Sequence, residues 1–162
     1  MSFSYSVRLY DAARDAAMIA SWRAAHGASP VPEVLIPPTA LVVERGGVAQ
    51  AFGCLYLCDV ADDRPQVRLS FMEWLTGRPG MGLGEARRVM RHLVLALRAC
   101  ASRNDSDLTL GHCEPAVARE GVRLGFRKAG TGLICVACHN KNWDEDGIEE
   151  SMVASSQPQV EG

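Results

Sequence analysis

The chain has 162 residues, of which 48% are hydrophobic and 22% charged, and this composition is ordinary for a soluble globular protein. Its length favours one domain, and no apolar run reaches the roughly 18 residues that a membrane span needs. The net charge of −2 conceals an acidic end: residues 141–162 hold six acids and one lysine, against 13 acids and 16 Lys and Arg elsewhere. That body is too weakly basic to indicate nucleic-acid binding, but it suits a small anionic ligand.

The first half of the chain predicts a strand, a helix and a hairpin. Residues 5–10 alternate as a strand does, and Asp11 predicts an N-cap for a helix through about Ala25. The apolar face of that helix is predicted to contain Met18, Ile19, Trp22 and Ala25. Residues 27–38 are too rich in proline to form a regular helix throughout. Two apolar segments then flank Gly46-Gly47, which is typical of a hairpin turn.

The second half predicts further strands alternating with helices. After a turn over residues 59–65 come strands over 66–75, 107–113 and 132–139, a long helix ending near Ser102 and a short helix over 114–124. The order predicts an α/β (α+β) fold with about six strands, as one domain over residues 1–140. The acidic segment 141–162 is predicted to be a tail that solubilises the protein or is ordered by a protein partner.

The segment from Gly77 to Arg88, "GRPGMGLGEARR", leads a strand into the long helix through four glycines. The first amides of a helix have no internal partners, and glycines let a phosphate approach them closely. A Walker loop would need Gly-Lys-Ser or Gly-Lys-Thr at its end, and Glu85 follows the final glycine instead. A Rossmann fingerprint would have to follow the first strand of a parallel sheet. The segment therefore predicts an anion site of another kind.

The order of elements resembles the GNAT N-acetyltransferase superfamily over residues 4–138. In that family a loop after the fourth strand carries Gln/Arg-x-x-Gly-x-Gly/Ala, and "PGMGLG" resembles it, with Pro79 at the first position. The hairpin with Gly53 and the terminal "VRLGF" are also similar to the family. The resemblance implies a GNAT fold, with a mixed and mostly antiparallel sheet flanked by helices, and acetyl-CoA as co-substrate.

The resemblance also implies which residues bind the cofactor. The loop amides would hold its pyrophosphate, and a backbone amide of the fourth strand, near Trp74 or Leu75, would stabilise the oxyanion. The predicted cofactor-binding residues are Trp74, Leu75, Arg78, Gly80, Met81, Gly82, Leu83, Gly84 and Arg87.

An amine acceptor must lose a proton before it attacks, because a free lysine with a pKa near 10.4 is almost wholly charged at pH 7. Glu73 is the first candidate for the base, and His112 and Glu114 are the alternatives. The family usually has a tyrosine as general acid in its last helix, and the corresponding position here is Gly121.

A narrower resemblance links the proline-rich loop and the Glu-Trp pair at residues 73–74 to small GNAT-like proteins of bacteriophages. It leaves two functions open. The first is N-acetyl transfer to a small-molecule or protein amine. The second is a catalytically eroded domain that serves as a binding or structural component, for example of a phage particle or a phage–host complex.

The predictions of cellular location, metal binding and acceptor charge rest on weaker patterns. No export signal precedes the first strand, so the predicted location is cytoplasmic, or virion-associated under the second reading. "CVACH" at residues 135–139 is a haem-attachment pattern, but it lies in a predicted strand whose side chains alternate, so free thiols are expected and no metal. Glu33 is the one charge in loop 27–38 and weakly favours a cationic acceptor.

Overall fold

A seven-stranded sheet forms the centre of the molecule in a computed structural model that describes residues 4–60, 67–113, 115–128 and 134–139. The strands are β1 (Tyr5–Leu9), β2 (Leu41–Arg45), β3 (Val48–Val60), β4 (Val67–Gly77), β5 (Leu108–Cys113), β6 (Arg127–Lys128) and β7 (Ile134–His139). The helices are α1 (Ala12–Ala25), α2 (Leu83–Arg103) and α3 (Pro115–Arg123), and residues Glu33–Leu35 form a single 3-10 turn.

The order of strands across the sheet is β1-β2-β3-β4-β5-β7-β6. The neighbours β4 and β5 are parallel, and every other described pair is antiparallel. Helix α2 makes the crossover that a parallel pair requires. The mixed, mostly antiparallel α+β architecture agrees with the prediction, apart from β6, which has two residues and is too short to give a sequence period.

The predicted hairpin is confirmed between β2 and β3. Gly46 and Gly47 form a two-residue connection in which both have positive φ, 58° and 77°. Turns with two such residues match the twist of paired strands, and glycine adopts them without steric cost. The hairpin therefore has its register fixed by local chemistry.

Helix α1 begins where predicted, because the Asp11 side chain accepts hydrogen bonds from the amides of Ala13 and Arg14. Its buried face is formed by Asp15, Ile19 and Trp22. The prediction that Ala25 shares this face is wrong, since Ala25 is exposed at the end of the helix. The sequence pattern also gave no indication that a carboxylate would be buried there.

Two hydrophobic clusters pack on opposite faces of the sheet. Leu93 and Leu97 of α2 pack with Leu55 of β3 in one cluster, and Ile19 and Trp22 of α1 pack in the other. None of the described helices is long and apolar enough to span a bilayer. The predicted turn over residues 59–65 begins too early, because Asp59 and Val60 belong to β3. Its residues 61–65, Glu114 and the acidic segment 141–162 lie outside the described residues.

Asp15 connects α1 to the first two strands. It is fully buried and accepts two hydrogen bonds from Arg8, at 2.6 and 2.7 Å, and one from the amide of Asp11 at 2.9 Å. Arg8 also donates to Glu44 of β2 at 2.8 Å. Burial alone would raise the pKa of Asp15, but the hydrogen bonds from Arg8 and Asp11 outweigh it and leave that pKa below its usual value.

Substituting Asp15→Asn should lower the free energy of unfolding by about 3 kcal/mol at pH 7, because it leaves Arg8 without its buried partner. A carboxyl with a depressed pKa stabilises the fold above its unfolded pKa of about 3.9 and ceases to do so as pH falls through its folded pKa. The deficit of the variant should therefore shrink below pH 4. Urea denaturation at several pH values measures it, and a deficit independent of pH would contradict the assignment.

Candidate active site

The parallel strands β4 and β5 separate partway along their length. Their pairing runs from Leu69 with Leu108 to Met72 with Gly111 and then stops, although β4 continues to Gly77. Beyond this point the sheet opens into a wedge on the side where α2 begins.

A β-bulge lies where the two strands separate. Between the pairs Cys54–Glu73 and Phe52–Thr76, β3 supplies one residue, Gly53, and β4 supplies two, Trp74 and Leu75. Trp74 has a φ of 59°, a conformation that is strained for a bulky residue. A Cβ on Gly53 would lie 2.7 Å from Cδ2 of Leu75, so a larger residue there would force the Leu75 side chain to move. The bulge removes part of β4 from the regular ladder at this point.

The large cavity occupies the wedge and has a volume of about 460 Å³, within the range of small-ligand sites. Met72 and Leu75 of β4 and Gly111 and His112 of β5 form its inner wall. The first three turns of α2 and the residues from Arg119 to Phe126 form its sides. Of the predicted cofactor residues, Leu75, Leu83 and Arg87 border it.

Charge in the large cavity is strongly positive. Five arginines line it against a single glutamate, Glu120, and these arginines are Arg87, Arg88, Arg91, Arg119 and Arg123. Glu120 of α3 forms ion pairs with both helices: its Oε1 lies 3.3 Å from Nε of Arg87 on α2 and 3.1 Å from Nη1 of Arg123 on α3. Arg87 of α2 was predicted from the sequence, but the arginines of α3 were not, because a helix pattern does not reveal which neighbour a charged face will contact.

Helix α2 begins beside this cavity without a side-chain cap. Gly82 is the N-cap residue, and it contributes no capping hydrogen bond. A Cβ on Gly82 or Gly84 would meet no backbone, and Gly80 has a φ of +79° that favours glycine. The start of α2 therefore combines approachable amides with a positive helix dipole.

The side chains of three predicted cofactor-binding residues do not line the large cavity. Met81 is partly buried and packs against the hydrophobic cluster under α2. Trp74 donates from Nε1 to the hydroxyl of Tyr56 at 2.8 Å, on the α1 face of the sheet. Arg78 donates its backbone amide to Gln50, and its buried Nε has no partner among the described residues.

The structure brings two of the three predicted bases together. Nδ1 of His112 lies 3.1 Å from Oε1 of Glu73, across the point where β4 and β5 separate. Both side chains are partly exposed, at 46% and 35%, so protons can exchange with solvent. Glu114, the third candidate, lies outside the described residues.

Other groups near the site have restricted roles. Burial raises the pKa of the Cys54 thiol, opposite Glu73, to about 12, so it is not a nucleophile at neutral pH. His92 borders the large cavity, and burial, followed by the charge of Arg91, lowers its pKa. Gly121 lines the cavity and brings no side-chain acid to it. Within the described residues, no three His, Cys, Asp or Glu side chains are grouped as a metal site would require.

Known proteins share this architecture. No protein-family model and no curated protein matches the chain. Among solved structures, FeeM, an N-acyl amino acid synthase from uncultured soil microbes, superposes with a TM-score of 0.61 at 18% identity, over 88% of this chain and 94% of its own. A GCN5-related N-acetyltransferase from Kribbella flavida superposes with 0.56 at 12%, over 79% and 34%.

This chain has the GNAT acetyltransferase fold. The structure of yncA from Salmonella typhimurium with its cofactor acetyl-CoA also shares it, with a TM-score of 0.56 at 18% identity, over 86% of this chain and 95% of that one. Identities this low show the fold alone. The comparisons give no support to the narrower resemblance to bacteriophage proteins.

Substituting Gly82→Asp should weaken binding of CoA at least roughly 100-fold, as measured by titration calorimetry. The new carboxylate would cap the free amides of α2 and repel an anion there, while the open space around Gly82 lets the fold accommodate it. Gly82→Ala, which adds a methyl group to the same open space, is the control and should bind within about threefold of the parent. Equal binding by both variants would remove the helix start from the site.

Proposed function

We propose that this protein is an acyl-CoA-dependent N-acetyltransferase, which moves an acetyl group from acetyl-CoA to an amine. The proposal rests on one observation above all: the arginine-lined cavity, the uncapped start of α2 and the β4 bulge adjoin one another. CoA carries several phosphate charges on a long, partly apolar chain. A cavity with apolar inner walls and a cationic entrance is complementary to such a ligand.

The residues present fit the cofactor in three respects. The amides at residues 82–84 would bind the pyrophosphate, and Arg87 of α2, which was predicted from the sequence, would add positive charge beside them. The arginines of α3 add charge for the remaining phosphate. Met72, Leu75 and Gly111 line the route inward. When bound, acetyl-CoA supplies an activated acyl group.

The bulge supplies a position for stabilising charge on the thioester oxygen. A backbone amide at Trp74 or Leu75 would donate a hydrogen bond there, and an amide fixed in a strained strand needs no reorganisation as charge develops. This contribution depends on backbone geometry, and any side chain compatible with the bulge would preserve it.

Glu73 and His112 would receive the proton from the acceptor ammonium. The two are hydrogen-bonded, so a proton taken by one can be passed to the other and then to solvent. Glu73 follows Met72, the last residue of β4 paired with β5, and it therefore borders the opening of the wedge.

The departing thiolate has no tyrosine to protonate it at the Gly121 position. A thiol with a pKa near 8.5 leaves partly as thiolate at neutral pH, so transfer can proceed without this acid, but more slowly. The absence of the acid, together with Pro79 in the loop, favours the alternative function. In that alternative, the protein is an eroded GNAT-like domain that acts as a binding or structural component.

Titration with acetyl-CoA and with desulfo-CoA separates the two functions. An enzyme should bind both in the micromolar range, because the sulfur contributes little to the grip of the arginines and amides. An eroded domain would show no heat of binding even at millimolar cofactor, and the N-acetyltransferase proposal would then be wrong.

Substituting Glu73→Gln should lower kcat about 100-fold and leave the Kd for acetyl-CoA unchanged, because it removes the proton acceptor and keeps the size of the side chain. His112→Gln should have a smaller effect of the same kind if Glu73 is the primary base. Product formation is followed by chromatography. A larger loss in His112→Gln would reverse the two roles, and an unchanged kcat in both would exclude the pair.

Substituting Gly121→Tyr should raise kcat about tenfold if protonation of the thiolate limits turnover, because the new phenol would lie in the wall of the large cavity. Gly121→Phe has the same ring without the hydroxyl and should give no gain. Rates measured between pH 7 and 9 test this. Equal rates for the two variants would show that the missing acid is not limiting.

A further inference from the structure

A second cavity lies on the α1 side of β4. The small cavity has a volume of about 220 Å³ and is lined by Arg23, His26, Ala28, Leu75, Thr76 and Gly77. A water molecule takes up about 30 Å³ of liquid, so this space admits a small molecule. Leu75, at the bulge, borders both the small and the large cavity.

Arg23 is the charged wall of the small cavity. Its Nε donates to the carbonyl of Ser29 at 2.6 Å, and its Nη1 lies 3.3 Å from the hydroxyl of Thr76. The guanidinium carbon lies 4.9 Å from the centroid of the Trp74 ring. These contacts hold the guanidinium beside the bulge while leaving part of its hydrogen-bonding fork available.

His26 extends this polar wall. Its Nε2 lies 2.9 Å from the carbonyl of Gly77, and a carbonyl can only accept, so Nε2 carries the proton. This bond fixes the ring against β4 in the wall of the small cavity.

The charge of Arg23 is not neutralised by its surroundings. Over residues 4–60, 67–113, 115–128 and 134–139, no carboxylate lies within ion-pair distance of its guanidinium. By contrast, Arg8 of β1 and Arg14 of α1 both form ion pairs with Glu44. Glu33, which weakly favoured a cationic acceptor, is not among the residues that line the cavity. A partly buried guanidinium without a counter-ion is a site for an anion.

We propose that the small cavity binds the carboxylate of the acyl acceptor, and that the acceptor is therefore a small amino acid. The inference rests on the proposed function, which assigns the large cavity to the donor. Thr76, the residue that contacts Arg23, is adjacent to Leu75, so a carboxylate on Arg23 would lie one or two residue lengths from the bulge. The amine of an α-amino acid could then reach the bulge.

The transfer balances without any further reactant. The amine nitrogen forms a bond to the thioester carbonyl carbon, and the carbon–sulfur bond breaks with its electron pair on sulfur. The ammonium group gives up two protons in all, one to the Glu73–His112 pair and then to solvent, and one to the thiolate. The products are an N-acetyl amino acid and CoA.

Binding tests the proposal without turnover. The twenty L-amino acids would each be titrated against the full-length protein by saturation-transfer NMR, and each one that binds would be compared with its C-terminal amide. At least one amino acid should bind, and its amide should bind at least about tenfold more weakly, because the amide lacks the charge that Arg23 recognises. If no amino acid binds, or if amides bind equally well, the carboxylate site is overturned.

Variants assign the effect to Arg23. Arg23→Gln should abolish the preference for the acid over the amide, and Arg23→Lys should retain part of it, because the charge remains and the fork is lost. Arg14→Gln is the same change on the same helix, outside the cavity, and should retain the full preference. A merely structural role for Arg23 would lower binding of acid and amide alike, together with the melting temperature.

The same pairs are then tested as substrates with acetyl-CoA. Chromatography is the suitable assay, since the exposed thiol of Cys58 would react with a colorimetric thiol reagent. The acid should exceed the amide at least about tenfold in kcat/KM, mainly through KM. If the parent protein does not bind CoA, the proposed function is wrong. If it binds CoA but does not prefer the amino acid over its amide, only the carboxylate site is wrong.

Discussion

The separation of β4 from β5 is the constraint on which the rest of the site depends. If β4 and β5 stayed hydrogen-bonded along their whole length, the sheet would be closed here and no ligand could enter between the two strands. Here pairing ends at Met72 and Gly111, and the bulge at Trp74 and Leu75 turns β4 away from its neighbour. Gly53 leaves room beside the bulge, because a larger residue there would press against the Leu75 side chain. One glycine on β3 thus contributes to the shape of the wedge.

Two ends of this wedge have different chemistry. At the end of β4, five arginines and the start of α2 create a strongly cationic wall, whereas at the opening of the strands Glu73 and His112 form a polar pair. In the proposed function, anion binding and proton transfer would thereby be kept apart. Because a carboxylate base would be drawn into an ion pair by a nearby arginine, this separation would keep Glu73 available to accept a proton.

Features set by local chemistry were predictable from the sequence. The Asp11 cap, the Gly46-Gly47 turn and the glycine-rich start of α2 each depend on a few adjacent residues, and all lie where predicted. Features that depend on distant contacts were not. The burial of Asp15 requires Arg8 as its partner, and the cationic cavity requires α3 to face α2. The Glu73–His112 contact requires these two residues to be neighbours on the adjacent strands β4 and β5. The spacing of apolar residues in one segment does not indicate which other segment it will pack against.

The two cavities have different relations to the hydrophobic core. The large cavity adjoins the cluster under α2, whereas Arg23, in the wall of the small cavity, stacks on Trp74, which packs against the cluster under α1. Under the proposed arrangement, substitutions on α1 and loop 27–38 could change the accepted amine without disturbing the packing that supports the donor. Such a layout favours divergence: related proteins could keep one acyl donor while acquiring new acceptors. Among the described residues that line the two cavities, Leu75 alone borders both and would be constrained by both substrates at once.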